Sequence, residues 1–210
     1  MSQPCSRSAT IPAPGQVDKS LGEFWVENPW EIVKNGHNLS AYERKRTWLN
    51  LRGNNFLDLS YLTGMDSDGD GRCAAAGDFH NNGRLDVVLR QVGGGPLLFF
   101  ENRFPQRHYL KVTLHGGPSN RQGIGARLTA VVNGQQLVRE MYPVNSYRSQ
   151  MPNIVHFGLG DADKVERLII RWPSGKVQQL TNQKADRHIV IDEAKDGDAA
   201  VETVVAAPEF

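Results

Sequence analysis

From Thr47 onward, apolar and polar residues alternate in short runs with a period of two, the pattern of half-buried strands. Trp48-Leu49-Asn50-Leu51 and Phe56-Leu57-Asp58-Leu59 flank Arg52-Gly53-Asn54-Asn55 and predict a hairpin. Residues 85–90 and 97–100 predict two further strands across the Gly93-Gly94-Gly95-Pro96 turn. Four short antiparallel strands within about fifty-five residues are the size of one propeller blade. Beyond them the period predicts strands at 109–114, 125–132, 136–142, 154–157, 165–172, 177–180 and 188–191. Asn133-Gly134, between two of these, is a strong hairpin signal, because both residues tolerate positive φ. In 165–172, Leu168, Ile170 and Trp172 share one face while Arg167 and Arg171 share the other. Seven such strands over about 85 residues predict a small β-sandwich or barrel.

The first part of the chain reads differently. Residues 1–19 are Ser, Thr, Pro and Gln with no hydrophobic period and read as a disordered leader. Three helix-start signatures follow. Ser20-Leu21-Gly22-Glu23 and Ser40-Ala41-Tyr42-Glu43 are capping boxes, and Asn28 stands before Pro29 at a first helical position. Pro29 and Gly36 keep these helices short. Phe24, Trp25, Trp30 and Ile32 fit a packed arm better than a free tail. The expected architecture is therefore all-β in the main, with short N-terminal helices. It divides into a leader at 1–19, a helical arm at 20–45, a blade-like sheet at 46–103, a β-sandwich at 104–194 and a loose acidic tail at 195–210.

Composition narrows the function. Lys and Arg number 24 against 23 Asp and Glu, a formal charge of +1 in 210 residues, which argues against a general electrostatic nucleic-acid binder. No apolar run approaches the roughly 20 residues of a membrane-spanning helix. No signal peptide is visible in the first twenty residues, which lack its apolar stretch. Cys5 and Cys73 read as unpaired thiols, too few to staple a chain of this size.

The most informative loop is Asp78-Phe79-His80-Asn81-Asn82-Gly83-Arg84-Leu85-Asp86. Polar side chains at the first, third and fifth places would point toward one centre. Glycine at the sixth allows the sharp turn, and an acid at the ninth closes the loop. Hard cations with six to eight oxygen ligands require such an arrangement, so the expected ion is Ca²⁺. His80 departs from the pattern, since imidazole is a poor calcium ligand. An EF-hand would place a bidentate Glu at the twelfth position, where Leu89 stands. The competing reading is an Asx-rich turn closed by its own backbone hydrogen bonds. Twelve residues earlier, Asp66, Asp68 and Asp70 carry the first half of the same pattern. Three carboxylates at two-residue spacing repel one another unless a cation or solvent screens them, so a shared ion or a second weak site is expected there.

These residues resemble known families. Asp78-Phe79, Asn82-Gly83 and Leu85-Asp86-Val87-Val88, after Asp70-Gly71-Arg72 and before Phe100-Glu101-Asn102, are similar to the FG-GAP/VCBS-type repeat of integrin-like propellers. Downstream, Ser119-Asn120-Arg121-Gln122-Gly123-Ile124-Gly125-Ala126-Arg127, Arg139-Glu140, His156-Phe157-Gly158-Leu159-Gly160 and Arg171-Trp172-Pro173-Ser174-Gly175 resemble the ASPIC/UnbV domain. That domain closes members of the cartilage acidic protein family and their bacterial relatives. The resemblance implies an extracellular or cell-envelope β protein that binds calcium through its repeat loops and a protein or matrix partner through its surface. It carries Asp78, Asn82 and Asp86 over as ligands, with Arg84 offering a backbone carbonyl and His80 replacing an Asp or Asn. One blade cannot close a ring, so a full propeller is not expected from this chain.

Enzyme signatures are thin. Gly123-Ile124-Gly125-Ala126 lacks the third glycine of a dinucleotide loop, Gly116-Gly117-Pro118-Ser119 is no P-loop, and the six His residues do not fall at zinc spacing. The expected function is thus a non-catalytic, calcium-binding interaction module. The alternative is an enzyme, or the accessory domain of one, acting on a cell-envelope or small-molecule substrate. It rests on Asn120, Arg127, Arg139, Glu140 and His156 converging between strands, with Asp161 as a partner for His156.

Overall fold

The computed structural model describes residues 3–4, 37–38, 44–51, 53–67, 71–91, 96–144, 146–147 and 149–204. Its strands in chain order are β1 (Gln3–Pro4), β2 (His37–Asn38), β3 (Trp48–Asn50), β4 (Phe56–Asp58), β5 (Gly71–Gly77), β6 (Asp86–Gln91), β7 (Leu98–Phe100), β8 (His108–His115), β9 (Arg127–Val132), β10 (Gln135–Glu140), β11 (Val155–Gly160), β12 (Lys164–Arg171), β13 (Val177–Lys184), β14 (Arg187–Asp192) and β15 (Val201–Val204). The regular structure of the described residues is almost entirely β, as the alternating pattern predicts, and no sheet among them closes into a barrel. Two compact units share it: 1–74 with 88–100, and 75–87 with 101–210. The helix starts expected at 20–45 lie outside the described residues.

In the first unit β3 pairs antiparallel with β4, with Leu49 opposite Leu57. This hairpin is a two-stranded sheet of its own, while β5, β6 and β7 form a separate three-stranded sheet. The four strands expected in one blade are therefore divided between two sheets. Within the three-stranded sheet the strand absent from the sequence reading is β5, Gly-Arg-Cys-Ala-Ala-Ala-Gly, whose Ala and Gly have low β-propensity and no visible alternation; the two-residue β1 and β2 also fall where a leader and a helical arm are expected.

The second unit contains two four-stranded sheets, ordered β10-β9-β12-β13 and β11-β8-β14-β15. Every pairing is antiparallel except β14 with β8, which is parallel. Alternation puts Leu110, Val112 and Leu114 of β8 on the inner face of one sheet, together with Phe157 of β11 and Ile189 and Ile191 of β14. Leu128 and Ala130 of β9, Leu168 and Ile170 of β12 and Leu180 of β13 come from the other sheet, and together they make one buried cluster. Trp172 is buried with them, and Arg167 and Arg171 are exposed, as their spacing requires. Asn133 and Gly134 both have positive φ, 49° and 73°, and close the β9–β10 hairpin.

The tail departs from expectation. A single 3-10 turn at Gly197–Ala200 leads into β15, which pairs with β14, and Ala200 joins the core at 3% exposure. Pairing satisfies the backbone groups that β14 would otherwise leave as an open edge.

Candidate functional site

The site grows from the outer face of β8. With Leu110 and Val112 turned inward, Tyr109, Lys111 and Thr113 must face the other way. Strand register then sets His156 of β11 directly opposite Lys111 on one side and His188 of β14 opposite it on the other. A His–Lys–His row crosses three adjacent strands. The Tyr109 ring stacks on His156 with centroids 6.0 Å apart, and the Lys111 ammonium lies 5.7 Å from the Tyr109 centroid.

The 78–86 loop covers this row. Asp78 Oδ1 accepts the Asn82 amide at 2.9 Å, and Oδ2 accepts the Gly83 amide at 2.9 Å and Lys111 Nζ at 2.7 Å. Asn82 Oδ1 accepts the Arg84 amide, and Gln106 donates to the Asn82 carbonyl. His156 Nε2 donates to the Gly83 carbonyl at 2.7 Å. Gly83 has φ 83°, and a Cβ there would lie 1.9 Å from the Tyr109 ring, so only glycine lets the backbone approach so closely. At the ninth place Asp86 is 1% exposed; Oδ1 accepts the Asn102 amide at 2.7 Å and Oδ2 meets His80 Nδ1 at 3.0 Å.

The oxygens predicted to hold calcium are thus already engaged by donors. Asp78 serves two amides and an ammonium, Asn82 an amide, and Asp86 an amide and an imidazole. The Arg84 guanidinium reaches the Phe104 carbonyl. In the earlier loop Asp66 pairs with Arg44, and Asp68 and Asp70 lie outside the described residues. No three His, Cys, Asp or Glu side chains among the described residues group so as to hold a metal. The 78–86 loop as folded has the hydrogen bonding of an Asx-rich turn.

Beside the row opens a cavity of about 270 Å³. Leu85, Met141, Pro143, Met151, Pro152 and Ile154 give its apolar wall, and Asp78, Lys111, Arg139, Glu140, His156 and His188 its polar side. Of the five residues expected to converge, Arg139, Glu140 and His156 do so. Arg139 also lies with its guanidinium 5.9 Å from the Phe157 centroid. Arg127 is the cross-strand neighbour of Glu140 but does not line the cavity. Asn120 closes its own loop, bonding Ile124 through both its amide nitrogen and its oxygen. Asp161 pairs with Arg107, and His156 has taken the Gly83 carbonyl instead.

A second polar centre lies in the loops around Glu193, which is 1% exposed. Its carboxylate accepts the amides of Gly117 and Ser119 and the hydroxyls of Ser119 and Ser174. Ser119 Oγ in turn accepts the Ser174 amide, and Trp172 donates its indole N–H to Gln178. Glycine is obligatory at 116, where a Cβ would lie 1.9 Å from the Asn120 carbonyl oxygen. Residues 116–198 match the family model of ASPIC and UnbV. No curated protein matches the chain. The ASPIC/UnbV domain is of a kind typically extracellular. Within it, the Ser119–Asn120 and Trp172–Gly175 motifs close loops around Glu193 and do not line the cavity.

Sequence reasoning missed Glu193, Lys111, Tyr109 and His188. For Lys111 the alternation of 109–114 gives the correct face, but a polar register normally means solvent, and this lysine is only 7% exposed.

Charge states follow from these surroundings. Burial lowers the pKa of His156 below its ordinary 6.5, more than the Gly83 carbonyl and Asp78 raise it. Burial and then the Lys111 charge lower His188 from the same value. Both imidazoles are neutral in the folded protein near pH 7. Burial alone would raise the Asp78 carboxyl, but the Lys111 ammonium and the Gly83 and Asn82 amides reverse it, and the net pKa is lowered. A histidine with a depressed folded pKa binds its proton more readily when unfolded. Its stability contribution is therefore intact above pH 6.5 and falls as pH drops from there toward the folded value. Urea midpoints measured from pH 7.5 to 5 should decline, and a His156→Gln, His188→Gln double variant should decline less.

Proposed function

We propose that this chain is a non-catalytic recognition module, acting outside the cell or in its envelope, that receives an apolar side chain of a protein or matrix partner in the cavity beside the His–Lys–His row. The observation that carries this reading is the cavity itself, walled by Met, Pro, Ile and Leu with a few polar groups on one side. At about 270 Å³ it falls just below the roughly 300–1,000 Å³ of small-molecule sites, a size suited to one side chain. Met141 and Met151 suit such a role, because flexible thioethers adapt to varied apolar shapes. Kinship with cartilage acidic proteins and an FG-GAP-like role for 46–103 belong to the same proposal.

The catalytic alternative draws on Arg139, Glu140 and His156 meeting at the cavity. Against it, no Ser, Thr or Cys is among the described lining residues, and His156 Nε2 is committed to Gly83. The direct test is NMR titration of the ¹⁵N-labelled full chain with blocked Gly-Xaa-Gly peptides. Met, Leu and Phe peptides should shift the Met151, Ile154 and His156 amides with dissociation constants on the order of 1 mM. Met151→Trp, which fills the space, should abolish the response. Equal shifts from Ser and Asp peptides, or none from the apolar ones, would overturn the reading.

A further inference from the structure

We propose that the Lys111 ammonium is the resident cation of the 78–86 loop, supplying from β8 the positive charge that a calcium ion would otherwise bring. The loop is then closed without metal.

The contact is direct and shielded. Lys111 Nζ lies 2.7 Å from Asp78 Oδ2, and the two side chains are 9% and 4% exposed. Asn81 Oδ1, at 3.4 Å, is a second acceptor. An ammonium this far from water needs acceptors within hydrogen-bond distance, and a carboxylate shielded to the same degree needs donors. Each satisfies the other, while Asp78 keeps its two amide bonds, so one side chain closes the turn and ties it to the sheet.

Charge arithmetic points the same way. The loop holds two carboxylates, Asp78 and Asp86, and one arginine, Arg84, whose guanidinium reaches the Phe104 carbonyl, while Lys111 from the sheet adds a second positive charge directly on Asp78. A dication added to a group already formally neutral would find no excess negative charge, whereas calcium sites draw their affinity from carboxylate count. His80, at a place where an oxygen ligand is wanted, bonds Asp86 instead. Lys111 is held in place by its strand position between His156 and His188, whose neutral rings do not repel it.

This inference is independent of the cavity reading, and each stands or falls alone. The reporters are the Asn82 and Gly83 amides, which donate to Asp78. Calcium chloride added to chelator-treated ¹⁵N-labelled full chain, up to about 10 mM and well above the weak extracellular range, should leave both resonances unmoved. Calcium held by the 66–71 loop would move other resonances and leave these two still, which also supports the proposal. In urea unfolding, Lys111→Met and Asp78→Asn should each lower the unfolding free energy enough to change the equilibrium constant tenfold or more. The double variant should lose little beyond the worse single one. Lys111→Arg, which keeps the charge, should fold and retain most of the stability. A calcium-dependent shift of Asn82 and Gly83 in the wild type, or strictly additive losses in the cycle, would overturn it. Should Lys111→Met not fold, the wild-type titration decides alone.

Discussion

Glu193→Ala is expected to destabilise the second unit by about 3–4 kcal/mol, read as a lower urea midpoint of the full chain. The carboxylate accepts four donors, the amides of Gly117 and Ser119 and the hydroxyls of Ser119 and Ser174. Hydrogen bonds to a charged acceptor contribute about 1.5–3 kcal/mol each, and an unpaired buried donor costs about 1–3. The sum is smaller than four such terms, because hydroxyls can rotate and water can enter a loop. Glu193→Gln keeps the shape but turns an N–H₂ toward donors, and should lose about 2 kcal/mol. Acid titration separates charge from shape. Burial disfavours the ionised carboxyl, yet the Ser174 and Ser119 hydroxyls and the two amides outweigh it and leave the pKa below its ordinary 4.5. A depressed carboxyl stabilises above its unfolded value and ceases to as pH falls through its folded one. The wild type's advantage over Glu193→Gln should therefore hold above pH 4.5 and shrink below it. An advantage that did not change with pH would mean that the ionised form is not what the donors hold.

Phe157→Ala is expected to cost about 3–5 kcal/mol, the range for deleting a large aromatic from a closed core. Phe157 is fully buried, and β11 fixes it between the core strands while its neighbour His156 faces the cavity. The ring also lies beneath the Arg139 guanidinium, so its loss frees a cavity-lining side chain as well as leaving a void. With typical domain stabilities of about 5–15 kcal/mol, much of the second unit's margin would disappear. Phe157→Leu refills most of the volume and should lose considerably less. A Phe157→Ala loss under about 1 kcal/mol would show that the two sheets can close over the gap.

The candidate site was half legible beforehand. The 78–86 spacing singled out the loop that packs on β8, because Asp, Asn and Gly at those offsets leave few backbone paths. The spacing did not say what fills the loop's centre, since a calcium ion and an ammonium satisfy the same oxygens. Lys111 is 33 residues from Asp78 along the chain, and no local pattern joins them. Glu193 is likewise joined to Gly117 and Ser119 across 76 and 74 residues. Its place in the chain, at the end of a strand, looks like any solvated acid.

What the amino-acid order determined by itself was short-range: the two-residue period that made the chain all-β, the Asn133–Gly134 reversal, and the buried faces of β8 and β12. Steric and hydrophobic preferences act over a few residues, and a strand's neighbours do not alter which of its faces is apolar. The tertiary structure decided what depends on pairing. The parallel seating of β14 on β8 placed His188 beside Lys111, and the antiparallel seating of β11 placed His156 on the other side. The pairing of β15 drew a tail that reads as loose into the sheet. A polar residue's role follows from which charges and donors share its low-dielectric surroundings, and those come from distant parts of the chain.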